Sequence, residues 1–149
     1  MSHTYCCSLH HCVFSTKQRR KSIPSDIQAR LWSYLGGIAR NHSIQALSIG
    51  GVEDHVHLLL SIPSTITIAD AMRIIKSQSS RWMHEVCEKS LFEWQEGYGA
   101  FSIGHSQVES TLAYIANQPE HHKNQDFPAE FIAFLKKNNL EYDPRYVWG

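Results

Sequence analysis

Residues 44–62 read IQALSIGGVEDHVHLLLSI, and the fold turns on how this stretch is divided. Gly50-Gly51 and the polar pair Glu53-Asp54 separate two apolar runs, which predicts strands over 44–52 and 55–62, the second closed by Pro63. Side chains on a strand alternate faces, so His55 and His57 point the same way, roughly 6–7 Å apart. Val56, Leu58 and Leu60 point the other way, toward a core that helices must cover.

Working outward, residues 4–14 (TYCCSLHHCVF) are rich in strand formers and give a first strand that ends at a basic run. Pro24-Ser25-Asp26 offers a helix start, and Ile27, Leu31, Tyr34, Leu35 and Ile38 recur at helical spacing up to about Asn41. After Pro63, Thr67 or a neighbour caps a second helix in which Ile68, Ala71, Met72, Ile75, Ser79, Trp82, Met83 and Val86 repeat at the same period. Residues 92–103 (FEWQEGYGAFSI) suggest an irregular last strand. A third helix is expected over about 106–118, stopping at Pro119, and a shorter fourth over 128–138. The order β-α-β-β-α-β with C-terminal helices predicts an α+β, ferredoxin-like antiparallel sheet with helices on one face. The other face is left free to carry a site.

The 149 residues, with 42 % hydrophobic and 19 % charged side chains and no internal repeat, are read as one domain spanning 1–149. No run of apolar residues is long enough to span a membrane, and the N-terminus lacks a secretory pattern, so a cytoplasmic protein is expected. Cys6, Cys7, Cys12 and Cys87 form no C-x-x-C spacing and make a poor disulfide framework. A zinc centre from His10 and Cys12 lacks a second ligand pair at a recognisable spacing. Fourteen basic residues balance fourteen acidic ones, which argues against coating nucleic acid through a uniform positive field. A local patch remains open: Lys17-Gln18-Arg19-Arg20-Lys21 packs four positive charges into five residues, although such runs are more often solvated loops.

Two imidazoles on one strand face can converge on a divalent ion, but alone they are half a site, and a bare H-x-H is more often a solvated pair. A second constellation lies downstream. Tyr114 and Gln118 are four residues apart, so a helix would place both on one face and offer a phenol beside a neutral oxygen donor. The plainer reading of that pair is a satisfied buried tyrosine and an exposed glutamine. A free phenol titrates near 10 and needs a stabilised anion or transition state to act as a nucleophile.

Taken together these residues resemble the IS200/IS605-type transposases, single-tyrosine HUH endonucleases, and their REP-associated relatives. The resemblance runs through Val13-Phe14-Ser15-Thr16-Lys17 with Arg19-Arg20, then Asp54-His55-Val56-His57-Leu58-Leu59, then Lys76 with Ser79-Ser80-Arg81. It continues through Trp94-Gln95, Gly97-Tyr98-Gly99-Ala100-Phe101-Ser102, Tyr114-Ile115, Asn117-Gln118 and His121-His122 to Glu141-Tyr142-Asp143 with Arg145-Tyr146. It implies a metal-dependent endonuclease and strand transferase that cuts and rejoins single-stranded DNA at hairpin-marked ends of a mobile element. Tyr114 would be the nucleophile, forming a 5′-phosphotyrosine link. His55, His57 and Gln118 would hold Mg²⁺ or Mn²⁺, and Lys17, Arg19, Arg20, Lys76 and Arg81 would contact DNA. It also implies a homodimer in which the tyrosine helix of one chain can complete the histidine pair of its partner. For such a protein a net charge of zero is low and implies either weak binding or a patch offset by acids elsewhere. A domesticated hairpin-binding protein without transposition activity is the alternative. A metal enzyme unrelated to DNA and a relaxase or replication initiator are further rivals, the last usually carrying additional domains.

Overall fold

A computed structural model describes residues 3–148. Four strands, β1 (Leu9–Ser15), β2 (Gln45–Val52), β3 (His55–Ser61) and β4 (Gly99–Ile103), form one antiparallel sheet in the order β2-β3-β1-β4. Helices α1 (Ser25–Asn41) and α2 (Ile68–Glu85) connect them in the ferredoxin-like manner. Three C-terminal helices follow: α3 (Val108–Ala116), the short α4 (Gln118–His121) and α5 (Phe127–Lys137). No helix of the described residues is long and apolar enough to cross a membrane.

The alternation of β3 sorts the two faces as expected. Val56, Leu58 and Leu60 join Phe14, Leu31, Leu35, Met72 and Ile75 in the core beneath α1 and α2. His55 and His57 face the opposite way. That face is not open: both imidazoles are fully buried, because the C-terminal helices lie over them. A second apolar cluster of Val13, Phe101, Phe127, Phe131 and Leu135 anchors α5 there. Helices therefore cover both faces, with α1 and α2 on one and the tyrosine-bearing segment on the other.

Several boundaries differ from expectation for physical reasons. Strand β1 starts at Leu9 rather than residue 4, because its two neighbours run out there, with Ser61 and Ile103 the last residues paired to it. The last strand shrinks to 99–103. The Gln95 side-chain oxygen accepts the Ser15 N–H at 2.7 Å, and the Lys76 ammonium donates to the Glu96 and Gly97 carbonyls at 2.8 and 2.9 Å. These contacts hold 96–98 out of the ladder, leaving one isolated bridge between Thr16 and Trp94 among the described residues. In α2 the apolar stripe ends at Met83, and Val86, past the last turn, is exposed.

Candidate active site

The β2–β3 hairpin sets the first two groups. Val52 pairs with His55 across the two-residue turn Glu53-Asp54, and the approach of the strands is tight at Gly51, where a Cβ would lie 2.2 Å from the His55 carbonyl oxygen. Only glycine fits that approach, which places His55 as the first residue of β3 beside the Asp54 carboxylate. The His55 Nδ1 is 2.7 Å from Asp54 Oδ1. A carboxylate only accepts, so Nδ1 donates and a neutral His55 turns the lone pair of Nε2 into the site. His57 is oriented in a similar way, its Nδ1 lying 2.8 Å from Nε2 of His11, which shares its face of the sheet on the adjacent strand.

The tyrosine segment breaks where a single helix was expected. α3 ends at Ala116, Asn117 leaves the helical region at φ −95°, ψ 13°, and Gln118 begins α4. Pro119 causes the break: it lacks an N–H for the helical ladder, and in a continuous helix its ring would clash with the carbonyl of Ile115 four residues back. Tyr114 and Gln118 thus sit on two short helices rather than one face, yet both reach the histidines. Tyr114 packs edge-on to His57 with ring centroids 5.7 Å apart, and Gln118 Oε1 lies 3.0 Å from Nε2 of His55. All of these contacts lie within one chain.

Between them stands Glu130, which the sequence reading did not single out. It is 2 % exposed, and its Oε1 lies 3.0 Å from Nε2 of His122, 3.1 Å from Nε2 of His57 and 3.3 Å from Nε2 of His55. Its Oε2 accepts from Gln118 Nε2 at 3.0 Å and from the Tyr114 hydroxyl in a short hydrogen bond. His121 lies 3.2 Å from the same hydroxyl. The residue arrives there because Asp126 caps α5, accepting from the Ala129 N–H at 2.9 Å with Pro128 in the first turn, while Phe127 and Phe131 fix the helix against the sheet. A signal was available: Phe127, Glu130, Phe131, Phe134 and Leu135 follow the i, i+3, i+4, i+7, i+8 pattern of one buried face, and an acid in that stripe needs partners. His11, alternating with Val13 toward the same face, was also legible as a neighbour of the pair.

The electrostatics follow from burial and these contacts. Burial lowers the affinity of His55 for a proton, but bonds to Asp54 and Glu130 outweigh it and raise the pKa to about 9. For His57 burial prevails over Glu130 and brings it down to about 4. His11 falls to about 3, through burial and then the charge of His57. Burial alone would raise the Glu130 carboxyl, but His122, His55 and His57 hold it well below the ordinary range. Burial, then Glu130, pushes the Tyr114 phenol far above its usual value.

The donor set fits a cation. Gln118 gives its N–H to Glu130, so its oxygen faces His55, and Nε2 of a neutral His55 would meet the amide oxygen and the Glu130 carboxylate with no hydrogen among them. Such an arrangement in a buried place requires positive charge, from protons on the imidazoles or from a metal. Ligand atoms of His55, His57, His122 and Glu130 all lie within 4.8 Å of one another. Second partners on Nδ1 of both strand histidines are the usual accompaniment of imidazole metal ligands.

The expected DNA-contacting residues fall at one end of the sheet and along α2. Lys17 and Lys76 line a groove of about 750 Å³ together with Arg73, Trp94, Tyr98 and Trp148. Arg19 stacks over Trp148 at 4.8 Å. Arg20 donates to the Gln18 side chain at 2.9 Å, and Arg81 is exposed on α2 but does not line the groove. Burial pushes the Lys76 ammonium down to about 8. The acids that offset the patch are at hand, with Glu93 3.0 Å from Lys17 and Glu53 3.8 Å from Lys21.

Comparison with known proteins agrees with this arrangement. The family described as IS200-like transposase matches residues 4–118. The transposase for insertion sequence element IS200 of Salmonella typhimurium is 26 % identical over 129 residues, covering 83 % of this chain and 84 % of the relative. The ISDra2 transposase TnpA of Deinococcus radiodurans is 25 % identical over 116 residues, covering 73 % and 82 %. Two solved structures share the fold. A crystal structure of a candidate transposase from Deinococcus radiodurans has a TM-score of 0.62 at 22 % identity, covering 79 % of this chain and 96 % of the other. A REP-associated tyrosine transposase bound to a REP hairpin has a TM-score of 0.61 at 15 % identity, covering 82 % and 73 %. By the extent of that family match, and with the ferredoxin-like sheet, the histidine pair and the tyrosine in place, the chain belongs to the IS200-like transposases.

Proposed function

We propose that the protein cleaves and rejoins single-stranded DNA at hairpin-marked ends, with Tyr114 as the nucleophile and His55, His57 and Gln118 holding Mg²⁺ or Mn²⁺. The observation that carries this reading is the gathering of the Tyr114 hydroxyl, two oriented imidazoles and the Gln118 oxygen into one cluster. Membership of the family supplies the reaction class, and the REP hairpin in a structural relative supports a hairpin as the mark.

The Tyr114 oxygen would attack the scissile phosphorus, forming a P–O bond to the phenol as the bond to the 3′ oxygen breaks. The products are a 5′-phosphotyrosine and a free 3′-hydroxyl. Attack by another 3′-hydroxyl reverses the exchange, so no nucleotide cofactor is consumed. The phenolic hydrogen already points at Oε2 of Glu130, which makes that carboxylate the nearest acceptor when the proton leaves. Asp54 and His11 hold the two imidazoles by their Nδ1 atoms and keep Nε2 directed inward. The bound ion would polarise the phosphate and offset the charge that develops on it. Burial and then Glu130 raise the phenol, and positive charge beside it would favour the phenolate.

Lys17, Arg19, Arg20, Lys76 and Arg81 are assigned to the DNA backbone, where they position the strand rather than read it. The protein is read as a cytoplasmic homodimer. The resemblance allows the tyrosine helix of one chain to complete the histidine pair of its partner, and the contacts of Tyr114 and Gln118 with His57 and His55 favour a site completed by the chain's own segment. The test is incubation with labelled hairpin-containing single strands and Mg²⁺ or Mn²⁺. Wild type should form a covalent adduct that Tyr114→Phe abolishes. An adduct that persists in the variant would remove Tyr114 from its role, and hairpin binding without any adduct from wild type would favour a domesticated binding protein.

A further inference from the structure

We propose that His122 and Glu130 are inner ligands of the same ion as His55 and His57, and that this three-imidazole, one-carboxylate set favours a transition ion over Mg²⁺. The inference rests on the metal reading above and changes its ligand list and its ion. Its starting point is a convergence. Three Nε2 atoms, from two positions on β3 and one in the turn after α4, lie between 3.0 and 3.3 Å from a single carboxylate oxygen.

Three imidazole nitrogens converge on one point from three sides. A carboxylate oxygen stands there and only accepts, so each Nε2–H donates to it, and with those protons removed the same three lone pairs would face a cation. Zinc-type ions take imidazole nitrogen at about 2.0–2.1 Å, so an ion near this point would need only short inward movements of the rings and a small withdrawal of Glu130. The carboxylate remains beside it, because Oε2 is tied to Gln118 and Tyr114. His122 is well placed to take part: it is only slightly exposed, and its ring lies against that of His55 with centroids 4.4 Å apart. Phe127 stacks on the ring of His55, also at 4.4 Å, and is itself buried.

The ligand chemistry then selects the ion. Mg²⁺ is a hard cation that prefers oxygen donors and retains several waters, and a buried pocket with three nitrogens suits it poorly. Imidazole suits Mn²⁺, Co²⁺ and Zn²⁺ progressively better. Glu130 also connects the ion to the nucleophile, since one of its oxygens faces the imidazoles and the other accepts from Tyr114. It is thereby a positioning residue for the phenol as well as a ligand.

The test uses Co²⁺ and Mn²⁺ as direct probes on the full chain, without DNA. Calorimetry with both ions and the visible absorption of the Co²⁺ complex would be recorded for wild type, Glu130→Gln, His122→Gln and His57→Ala. Thermal melting in chelator would report whether each variant folds. Wild type should bind Co²⁺ with nitrogen-ligand bands that millimolar Mg²⁺ does not displace. Glu130→Gln and His122→Gln should each weaken binding by at least the roughly 10–100-fold that even an outer partner commands. They should also change the spectrum. If both bind like wild type while His57→Ala does not, the inference falls and the simpler histidine–glutamine centre stands. If His57→Ala also binds like wild type, the ion is elsewhere and both metal readings fall, whereas the Tyr114 adduct is judged by its own assay. Displacement of Co²⁺ by equimolar Mg²⁺ would overturn the selectivity. Should Glu130→Gln fail to fold, the less buried His122→Gln decides.

Discussion

Replacing Gly50 by alanine should slow cleavage without touching a single site residue. The tyrosine helix α3 rests on β2 at this glycine: a Cβ there would lie 2.9 Å from the Ile115 carbonyl oxygen and 3.1 Å from its Cγ2. Ordinary carbon contacts are about 3.5 Å or more, so the helix backbone must retreat by about 0.5 Å. Tyr114, the residue before, moves with it. A 1 Å misplacement of a reacting group costs about 10²-fold, so half that distance should cost about 10-fold in the rate of adduct formation. Overpacking a well-filled contact typically costs about 1–3 kcal/mol, which for a chain this long lowers the melting midpoint by roughly 2–12 °C. The assay is single-turnover adduct formation on a labelled hairpin strand, beside a thermal melt of the same preparation. Gly37→Ala is the control, since nothing lies within 4 Å of its Cβ on α1. There the gain in helix propensity should stabilise the protein by up to about 1 kcal/mol and leave the rate alone. Wild-type rate and midpoint in Gly50→Ala would show that α3 does not rest on β2 in solution.

Without metal, stability should peak near pH 6.5. His57 and His11 have folded pKa values near 4 and 3, below the unfolded 6.5, so the unfolded chain binds more protons below 6.5 and stability falls as pH drops. His55 is raised to about 9, so its contribution is complete below 6.5 and is lost as pH rises through 9. Melting midpoints in chelator between pH 4 and 8, below the window in which Lys76 acts the other way, check this, and Asp54→Asn should flatten the alkaline limb; a limb as steep as wild type in that variant would contradict the assignment. Because Tyr114 meets the histidines of its own chain, mixing Tyr114→Phe with His57→Ala should restore no adduct. Recovery toward a quarter or half of wild-type yield would mean that partners exchange their tyrosine segments. Lys76→Ala should weaken single-strand binding about equally across sequences and reduce the salt dependence by about one unit of log–log slope. An unchanged slope would take Lys76 off the phosphate backbone.

The sheet and its histidines were readable because local rules govern them. Gly50-Gly51, the Glu53-Asp54 turn and strict alternation along β3 fix the hairpin, and its register fixes which way His55 points. Lys76 illustrates the opposite case. Its ammonium reaches across twenty residues to two carbonyls and ends the last strand early, and no pattern within 92–103 announces a partner on α2. In the tyrosine segment Pro119 reads as the stop, but the missing N–H acts further back, so that α3 already ends at Ala116 and Gln118 starts a new turn. Glu130 was hidden for another reason. Its meaning depends on α5 lying on the sheet face that was expected to be open, and that packing comes from aromatic contacts between residues more than twenty positions apart, such as Phe101 with Phe134. The acid in the apolar stripe was visible, but not what it faced.

The position of Glu130 along the chain also has a consequence during synthesis. Domains assemble from the N-terminus as the chain emerges, and the sheet needs nothing beyond Ile103. A nascent protein can therefore hold its two imidazoles in place, and soon afterward its phenol, before the carboxylate that stands between them has left the ribosome. Closure of the pocket waits for α5, whose last residue is Lys137 in a chain of 149. A chain that stops before α5 would hold the sheet and its imidazoles without the carboxylate that stands between them.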